Sequence, residues 1–224
     1  MPASYFDVDG TLVGTNLVHP TLYYMLHLQT PLHSLEKLGR ALLKAPVMAW
    51  AEMRDRRMFN EVLFSAYEGI TEDRLVELAS EAYRRVMRPR IYPGARELIE
   101  QSRRAGHEIV LVSGALDILL EHLAGDLGGV DGWIANRLEI HEGRATGKLL
   151  RPVVAGPTKA RLIAEHARAH GHALDACFAY SDSYSDVPML SVVGNPAAVN
   201  PDRRLALLAR AYHWPILDLK EGGG

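Results

Sequence analysis

The pattern of apolar and polar positions changes character twice along this chain. Residues 3–8 form a short apolar run that gives way at Asp9-Gly10-Thr11, the pattern of a buried strand followed by a loop. From about 17 to 90 the period is helical and lacks clear strands. Leu35, Leu38 and Leu42 recur at helical spacing, Met48 to Met53 continue the pattern, and Thr71 stands as an N-cap before Glu72-Asp73-Arg74-Leu75-Val76-Glu77-Leu78. Three or four helices are expected there.

After Pro93, helices and strands alternate. The expected order is a helix over 94–105, a strand over 108–112 broken by Ser113-Gly114, a helix over 116–123, and short strands at 133–135, 138–141 and 144–147. The last two flank a hairpin turn at Glu142-Gly143. A helix over 158–170 closes at Gly171, a strand covers 176–181, and a short helix covers 185–192. A further strand, a helix over 203–211 and a last strand near 214–217 complete the chain, and Glu221 to Gly224 reads as a disordered tail. Alternation of this kind predicts an α/β fold with a doubly wound, mostly parallel sheet. Residues 1–16 and 91–224 form its core, and 17–90 is a helical domain inserted after the first strand.

Composition changes this picture little. The 224 residues are 48% hydrophobic and 23% charged, ordinary for a folded protein able to bury a full core. A formal charge of −2 gives no general attraction to nucleic acid or to anionic membranes. The basic clusters Arg54-Asp55-Arg56-Arg57 and Arg84-Arg85 read as solvated helix faces. A single cysteine, Cys177, excludes an internal disulfide and lies in an apolar run, as a buried structural thiol does. His19, His27 and His33 lack metal-ligand spacing. Apolar stretches are interrupted by Lys44 and Pro46, or by Asp117 and Glu121, too early to span a bilayer, and the first residues lack a signal-peptide pattern. A cytoplasmic protein without stable membrane insertion is the expectation. Its oligomeric state stays open.

In an open parallel sheet, ligands gather at the C-terminal ends of the strands. Asp7 and Asp9 follow the first predicted strand, Ser113 the second, and Asp182 and Asp186 a later one, while Lys159 opens a helix. Four carboxylates meeting one lysine and one hydroxyl require a cation, which points to a hard divalent ion with oxygen ligands, Mg²⁺ before Ca²⁺ or a transition metal. Each group also has an ordinary explanation. Asp9-Gly10-Thr11 is a turn sequence, Ser113-Gly114 suits any loop, and Asp182 and Asp186 could cap a helix. Their conjunction at every strand end carries the functional reading.

Asp7-Val8-Asp9-Gly10-Thr11-Leu12, Val112-Ser113-Gly114, Lys159 and Ser181-Asp182-Ser183-Tyr184-Ser185-Asp186 together resemble the four motifs of the haloacid dehalogenase superfamily, in order and across most of the chain. The helical insertion and the 180–186 and 194–202 stretches are similar to its phosphoserine-phosphatase-like branch, subfamily IB. The resemblance implies a Rossmann-like core under a helical cap, and a phosphatase acting on a small phosphorylated metabolite. It implies that Asp7 is the nucleophile that becomes phosphorylated, with Asp9 as general acid and then base. Mg²⁺ would lie on Asp7, the Asp9 carbonyl and Asp182. Thr11, Ser113, the Gly114 amide and Lys159 would bind the phosphoryl group, and Asp186 would fix Lys159 or metal-bound water.

The presence of Asp9 argues against the dehalogenase branch. One departure bears on the substrate. Phosphoserine phosphatases carry a glutamate shortly after the first motif that pairs with the substrate ammonium, and the matching residue here is Asn16, a neutral amide. Gly10 stands where such enzymes often carry serine. Specificity then rests on the insertion, with Arg54, Arg56, Arg57, Met58 and Phe59 as candidates, Arg56 foremost. Phosphoserine and histidinol phosphate are the type substrates of the branch. The apolar stretch 42–53 would pack within the insertion, or cover a lipid-like phosphate or membrane surface. A phosphotransferase or phosphomutase using the same aspartyl-phosphate, and a catalytically silent binding protein on the same fold, are the alternatives. A receiver-type signalling domain also phosphorylates an aspartate, but it is shorter and lacks the insertion.

Overall fold

The computed structural model describes residues 1–27 and 56–220. Six strands form a parallel sheet: β1 (Ala3–Phe6), β2 (Glu108–Leu116), β3 (Gly132–Asn136), β6 (Phe178–Ser181), β7 (Asn195–Val199) and β8 (Ile216–Leu217). Their order is β3-β2-β1-β6-β7-β8, with every neighbouring pair parallel. Between β3 and β6 in the chain lies an antiparallel hairpin of β4 (Leu138–His141) and β5 (Arg144–Leu149). Its two turn residues, Glu142 and Gly143, have φ of 48° and 70°, the left-handed pair that matches strand twist in a two-residue hairpin. This is the α/β architecture expected from the alternating pattern.

Both faces of the sheet are covered, which explains why its central strands read as continuous apolar runs. Tyr5, Val110, Val112, Ala179 and Ala198 point to one side, and Phe6, Ile109, Leu111, Tyr180 and Val199 to the other. The first set meets α6 (Pro157–His170), α7 (Val187–Ser191) and α8 (Arg203–Ala211) through Ile163, Leu190 and Leu205. The second meets α4 (Ala95–Arg104) and α5 (Asp117–Leu127) through Leu98, Ile99, Leu119 and Leu123. Between β1 and α4 in the chain come α1 (Val18–Leu26), α2 (Arg56–Phe64) and α3 (Glu72–Ala82), which extend this second core with Tyr24, Phe64, Tyr67 and Leu78. Among the described residues no helix is long and apolar enough to cross a membrane.

Several local expectations need correction. β2 does not stop at Ser113-Gly114: it runs to Leu116 with a register shift between Val112 and Leu116. The Ser113 hydroxyl accepts the Ala115 N–H at 2.9 Å, so the side chain replaces a lost ladder bond and the strand bulges instead of ending. The first strand is shorter than its apolar run, because Val8 turns to accept three backbone N–H bonds, from Thr11, Leu12 and Val13. Thr71 precedes α3 in an extended conformation, but its hydroxyl caps nothing. Cys177 is fully buried. The expectations for Leu35, Leu38, Leu42, the 42–53 segment, His33, Arg54 and the C-terminal tail fall outside the described residues.

Phe6 and Tyr180 stack across β1 and β6, with ring centroids 4.5 Å apart and planes 4° from parallel. Phe6 is fully buried at the centre of the sheet. Phe6→Ala is expected to lower unfolding stability by about 3–5 kcal/mol through lost burial and a residual cavity. Urea denaturation would register this as a reduced midpoint at unchanged slope.

Candidate active site

The chain lays down β1, β2 and β3 towards one edge, then returns to place β6, β7 and β8 on the other side of β1. The crevice at the C-terminal ends of β1 and β6 is therefore where strand order reverses, the usual place for a ligand in such a sheet. Asp7 is the first residue past β1 and Asp182 the first past β6. The Asp7 N–H donates to the Tyr180 carbonyl at 2.9 Å, which extends the β1–β6 pairing into the crevice and fixes the carboxylate.

Lys159, in the first turn of α6, joins the two motif loops. Its ammonium donates to Asp7 Oδ1 at 2.6 Å and to Asp186 Oδ2 at 2.7 Å, and all three side chains are buried. Thr11 Oγ1 lies 3.1 Å from Asp7 Oδ2 and 3.2 Å from Asp182 Oδ1, and it accepts the Asp182 backbone N–H at 3.0 Å. Ser181 donates to Asp186 at 2.9 Å. Asp9 accepts from Thr15 at 2.9 Å and from Ser113 at 3.4 Å. Asp7, Thr11, Lys159, Asp182 and Asp186 thus form one hydrogen-bonded cluster, Asp9 with Thr15 and Ser113 forms a second, and Asp7 and Asp9 border the same cleft. Gly114 borders the same cleft, whose volume is about 180 Å³.

Gly10 shows how tightly the loops approach. Its φ is +84°, and a Cβ there would lie 2.2 Å from Asp182 Oδ2. Both the backbone conformation and the neighbouring carboxylate exclude a side chain.

The electrostatics are those of a crowded acid cluster. Burial and the charge of Asp7 raise the Asp9 carboxyl to about 6, against hydrogen bonds from Thr15 and Ser113. Burial, then the charges of Asp7 and Asp186, raise Asp182 to about 8. Burial alone would lower Lys159, but the adjacent Asp186 and Asp7 carboxylates outweigh it and hold the ammonium charged. Among the described residues Lys159 is the one cation paired with these acids. Oxygen donors from Asp7 and Asp182 meet at a single hydroxyl, with excess negative charge, and among the described residues lining the cleft there is no imidazole or thiol. That donor set fits Mg²⁺.

Of the residues expected to meet substrate, Asn16 and Arg56 both border the cleft. The Asn16 side-chain oxygen is already engaged, accepting the backbone N–H groups of Val18 and His19 at the start of α1. Phe59 packs with Leu63 and Leu17 as core, and Met58 and Arg57 are surface residues. His27 stacks on Tyr23. Asp186 occupies the N-cap position of α7, but its side chain is turned to Lys159 and Ser181 instead of the helix. Side-chain caps come from Ser183, which accepts the Ser185 N–H, and from Asp202, which accepts the N–H groups of Arg204 and Leu205.

The sequence pattern did not single out Thr15, Ser181 or Asn60. Thr15 and Ser181 sit beside the motif acids and could have been sought as hydroxyl donors. Asn60 offered no such signal. It is buried on α2, lines the cleft, donates to the Val154 carbonyl at 3.3 Å, and leaves its own Oδ1 without a hydrogen-bond partner.

Comparison with known proteins agrees with this arrangement. The profile of haloacid dehalogenase-like hydrolases matches residues 5–191. A Streptomyces azureus protein named for inhibition of morphological differentiation is 35% identical, over 96% of this chain and 78% of its own. A phosphoserine phosphatase of Mycobacterium tuberculosis is 33% identical, over 97% of this chain and 71% of its own. A solved structure from Bordetella pertussis Tohama I, of unknown function, superposes with a TM-score of 0.81 over 97% of this chain and 98% of that one. At 23% identity, this last likeness concerns the fold.

Replacing Lys159 by methionine strands two buried carboxylates without their partner. Lys159→Met is expected to lose about 3–5 kcal/mol of stability near neutral pH without added metal. An unfolding midpoint equal to wild type would contradict the structural weight given to this ion pair.

Proposed function

This chain belongs to the haloacid dehalogenase-like hydrolase family and is a phosphatase of that type, and we propose that it hydrolyses small phosphomonoesters through an aspartyl-phosphate on Asp7. The observation that carries this reading is the direct contact of Lys159 with both Asp7 and Asp186, while Thr11 links Asp7 to Asp182. Residues 1–16 and 91–224 form the catalytic core in this reading. Residues 17–90 act as a cap, contributing Leu17, Arg56 and Asn60 to the cleft wall.

Asp7 and Asp182, with the Asp9 carbonyl, would hold Mg²⁺. When bound, the ion screens the negative charge of the phosphate so that a carboxylate can approach it. The remaining work falls to side chains. Asp7 attacks phosphorus while Lys159 balances the phosphoryl charge and is itself held by Asp186. Asp9, fixed by Thr15 and Ser113, protonates the departing alkoxide. It then removes a proton from the water that opens the acyl phosphate, regenerating Asp7 and releasing phosphate. Ser113 and the Gly114 amide would supply donors to the equatorial oxygens.

The cleft also bears on the substrate. Asn60 offers an unpaired carbonyl oxygen and Arg56 a cation, while Asn16 is committed to its own helix. This combination suits a metabolite phosphate with an N–H donor for Asn60 and a carboxylate for Arg56. Among the described residues, those that the insertion contributes to the cleft wall include no carboxylate to oppose an amine.

Phosphate release measured with phosphoserine, histidinol phosphate, sugar phosphates and a lipid phosphate tests the assignment. EDTA should abolish turnover and Mg²⁺ restore it. Asp7→Asn should be inactive, and Asp9→Asn should lose about 10²–10⁴-fold. Equal rates from wild type and Asp7→Asn would sink the proposal, and turnover only with an added hydroxyl acceptor would make the enzyme a phosphotransferase.

Asn60→Leu, similar in size but without the carbonyl, should raise KM for the preferred substrate by about 2–10-fold, the worth of one ordinary hydrogen bond. Turnover at saturation should stay within a few-fold of wild type. An unchanged KM for every accepted substrate would remove Asn60 from recognition.

A further inference from the structure

At the end of the sheet opposite the catalytic cleft, a second group of donor atoms converges. Glu108 opens β2, paired with Ala3 at the start of β1. His166 and His170 lie four apart on α6, hence on one helix face. Gly171 ends that helix in a left-handed conformation, φ 71° and ψ 27°, and the reversal brings His172 to the same carboxylate. One ligand atom from each of Glu108, His166, His170 and His172 lies within 4.8 Å of all the others. His170 Nδ1 is 2.9 Å from Glu108 Oε1, His166 Nε2 is 3.8 Å from the same oxygen, and His172 Nε2 contacts Oε2 directly. Among the described residues, these three rings are the only ion-pair partners of Glu108.

In His172 and His166 the outward-facing nitrogen is also engaged. His172 Nδ1 lies 2.6 Å from the Met1 carbonyl, which can only accept, so Nδ1 carries a proton. A neutral His172 then presents the lone pair of Nε2 to the cluster. His166 Nδ1 meets the Tyr5 hydroxyl at 3.2 Å, again leaving Nε2 facing Glu108. Metal-bound histidines have this arrangement, with the second nitrogen held by a carbonyl or hydroxyl that fixes the tautomer and ring orientation. His172 is thus held from both sides, by the Met1 carbonyl at Nδ1 and by Glu108 at Nε2.

We propose that Glu108, His166, His170 and His172 form a binding site for Zn²⁺ or a similar divalent transition ion, separate from the catalytic cleft. Three imidazoles and one carboxylate form a four-coordinate set suited to Zn²⁺ and unsuited to Mg²⁺ or Ca²⁺, which prefer oxygen. Bonds of about 2.0–2.2 Å to a tetrahedral ion separate ligand atoms by roughly 3.3–3.6 Å. Side-chain rotation can close the observed spread to that range. With all four positions filled by protein, the role is structural: the ion ties the C-terminal end of α6 to β2. Its opposite end carries Lys159.

The test uses the full chain, stripped with chelator, supplied with excess Mg²⁺ to occupy the cleft, and titrated with Zn²⁺ alone. Wild type should retain one Zn²⁺ per chain through desalting and melt at a higher temperature with it. Asp182→Asn, altered only in the cleft, should retain the ion. His170→Ala, a change at a half-exposed ring, and Glu108→Gln should weaken binding at least tenfold and lose the thermal shift. Both should keep the far-ultraviolet circular dichroism of wild type. Failure of wild type to retain Zn²⁺, or wild-type affinity in both ligand variants, would overturn the proposal. So would an ion lost from Asp182→Asn but kept by His170→Ala, since it would then belong to the cleft. None of these readouts depends on the phosphatase assignment.

Discussion

One buried ammonium holds the catalytic end of this molecule together. Lys159 touches Asp7 and Asp186, and both carboxylates lie almost wholly out of water. Charges in that setting are tolerable only when their remaining lone pairs are also satisfied. The loops meet this demand with hydroxyls. Thr11 serves Asp7 and Asp182, Ser181 serves Asp186, and Thr15 and Ser113 serve Asp9. Asp9 and Asp186 therefore have hydroxyl donors of their own, Asp7 and Asp182 share the single Thr11 O–H, and Asp7 and Asp186 share the lysine. The arrangement leaves net negative charge at the centre, as a site built to receive a cation requires.

The frame around this cluster is fixed by two asparagines acting at backbone level. Asn136 donates to the Gly114 and Val154 carbonyls and accepts the Val154 N–H, which ties the bulged end of β2 to the segment leading into α6. Asn200 donates to the Gly10 and Thr11 carbonyls and accepts the Leu219 N–H, tying the first loop to the last segment of the chain. Neither touches the acids. They satisfy the carbonyls of Gly10, Thr11, Gly114 and Val154, so the segments that carry Asp9, Thr11, Ser113 and Lys159 are held in place without crowding the cleft.

What the sequence made legible divides along the range of the interactions. The helix at Arg203–Ala211 was readable to the residue because Asp202 caps it locally, and Gly171 marked the end of α6 for the same reason. The Glu142-Gly143 hairpin turn follows from two adjacent residues tolerant of positive φ. Asp7, Asp182 and Lys159 could be placed together because they sit just past β1, just past β6 and in the first turn of α6, whereas Ser113 lies within β2. Non-local effects were hidden. The continuation of β2 past Ser113 depends on pairing with β3, and the unpaired Asn60 carbonyl depends on how α2 packs over Gly114 and Val154. The sequence pattern did not single out His166, His170 or His172, and nothing near them in the chain indicates that Glu108 meets them.

The helix α6 links the two ends of the sheet. Its first turn presents Lys159 to a cluster whose other donors are all oxygens, and its last turns present His166 and His170 to a cluster rich in nitrogen. His166 lies seven positions after Lys159, which at about 1.5 Å per residue is roughly 10 Å of rigid helix. Donor chemistry alone then sorts the cations, with hard ions preferring the carboxylate end and borderline ions the imidazole end. An ion at the imidazole end would act on the cleft only through this helix, by holding its far end against β2 and so limiting how far Lys159 can drift from Asp7. The reach of Lys159 is therefore set from both directions: by the carboxylates that attract it, and by how firmly the helix beneath it is anchored.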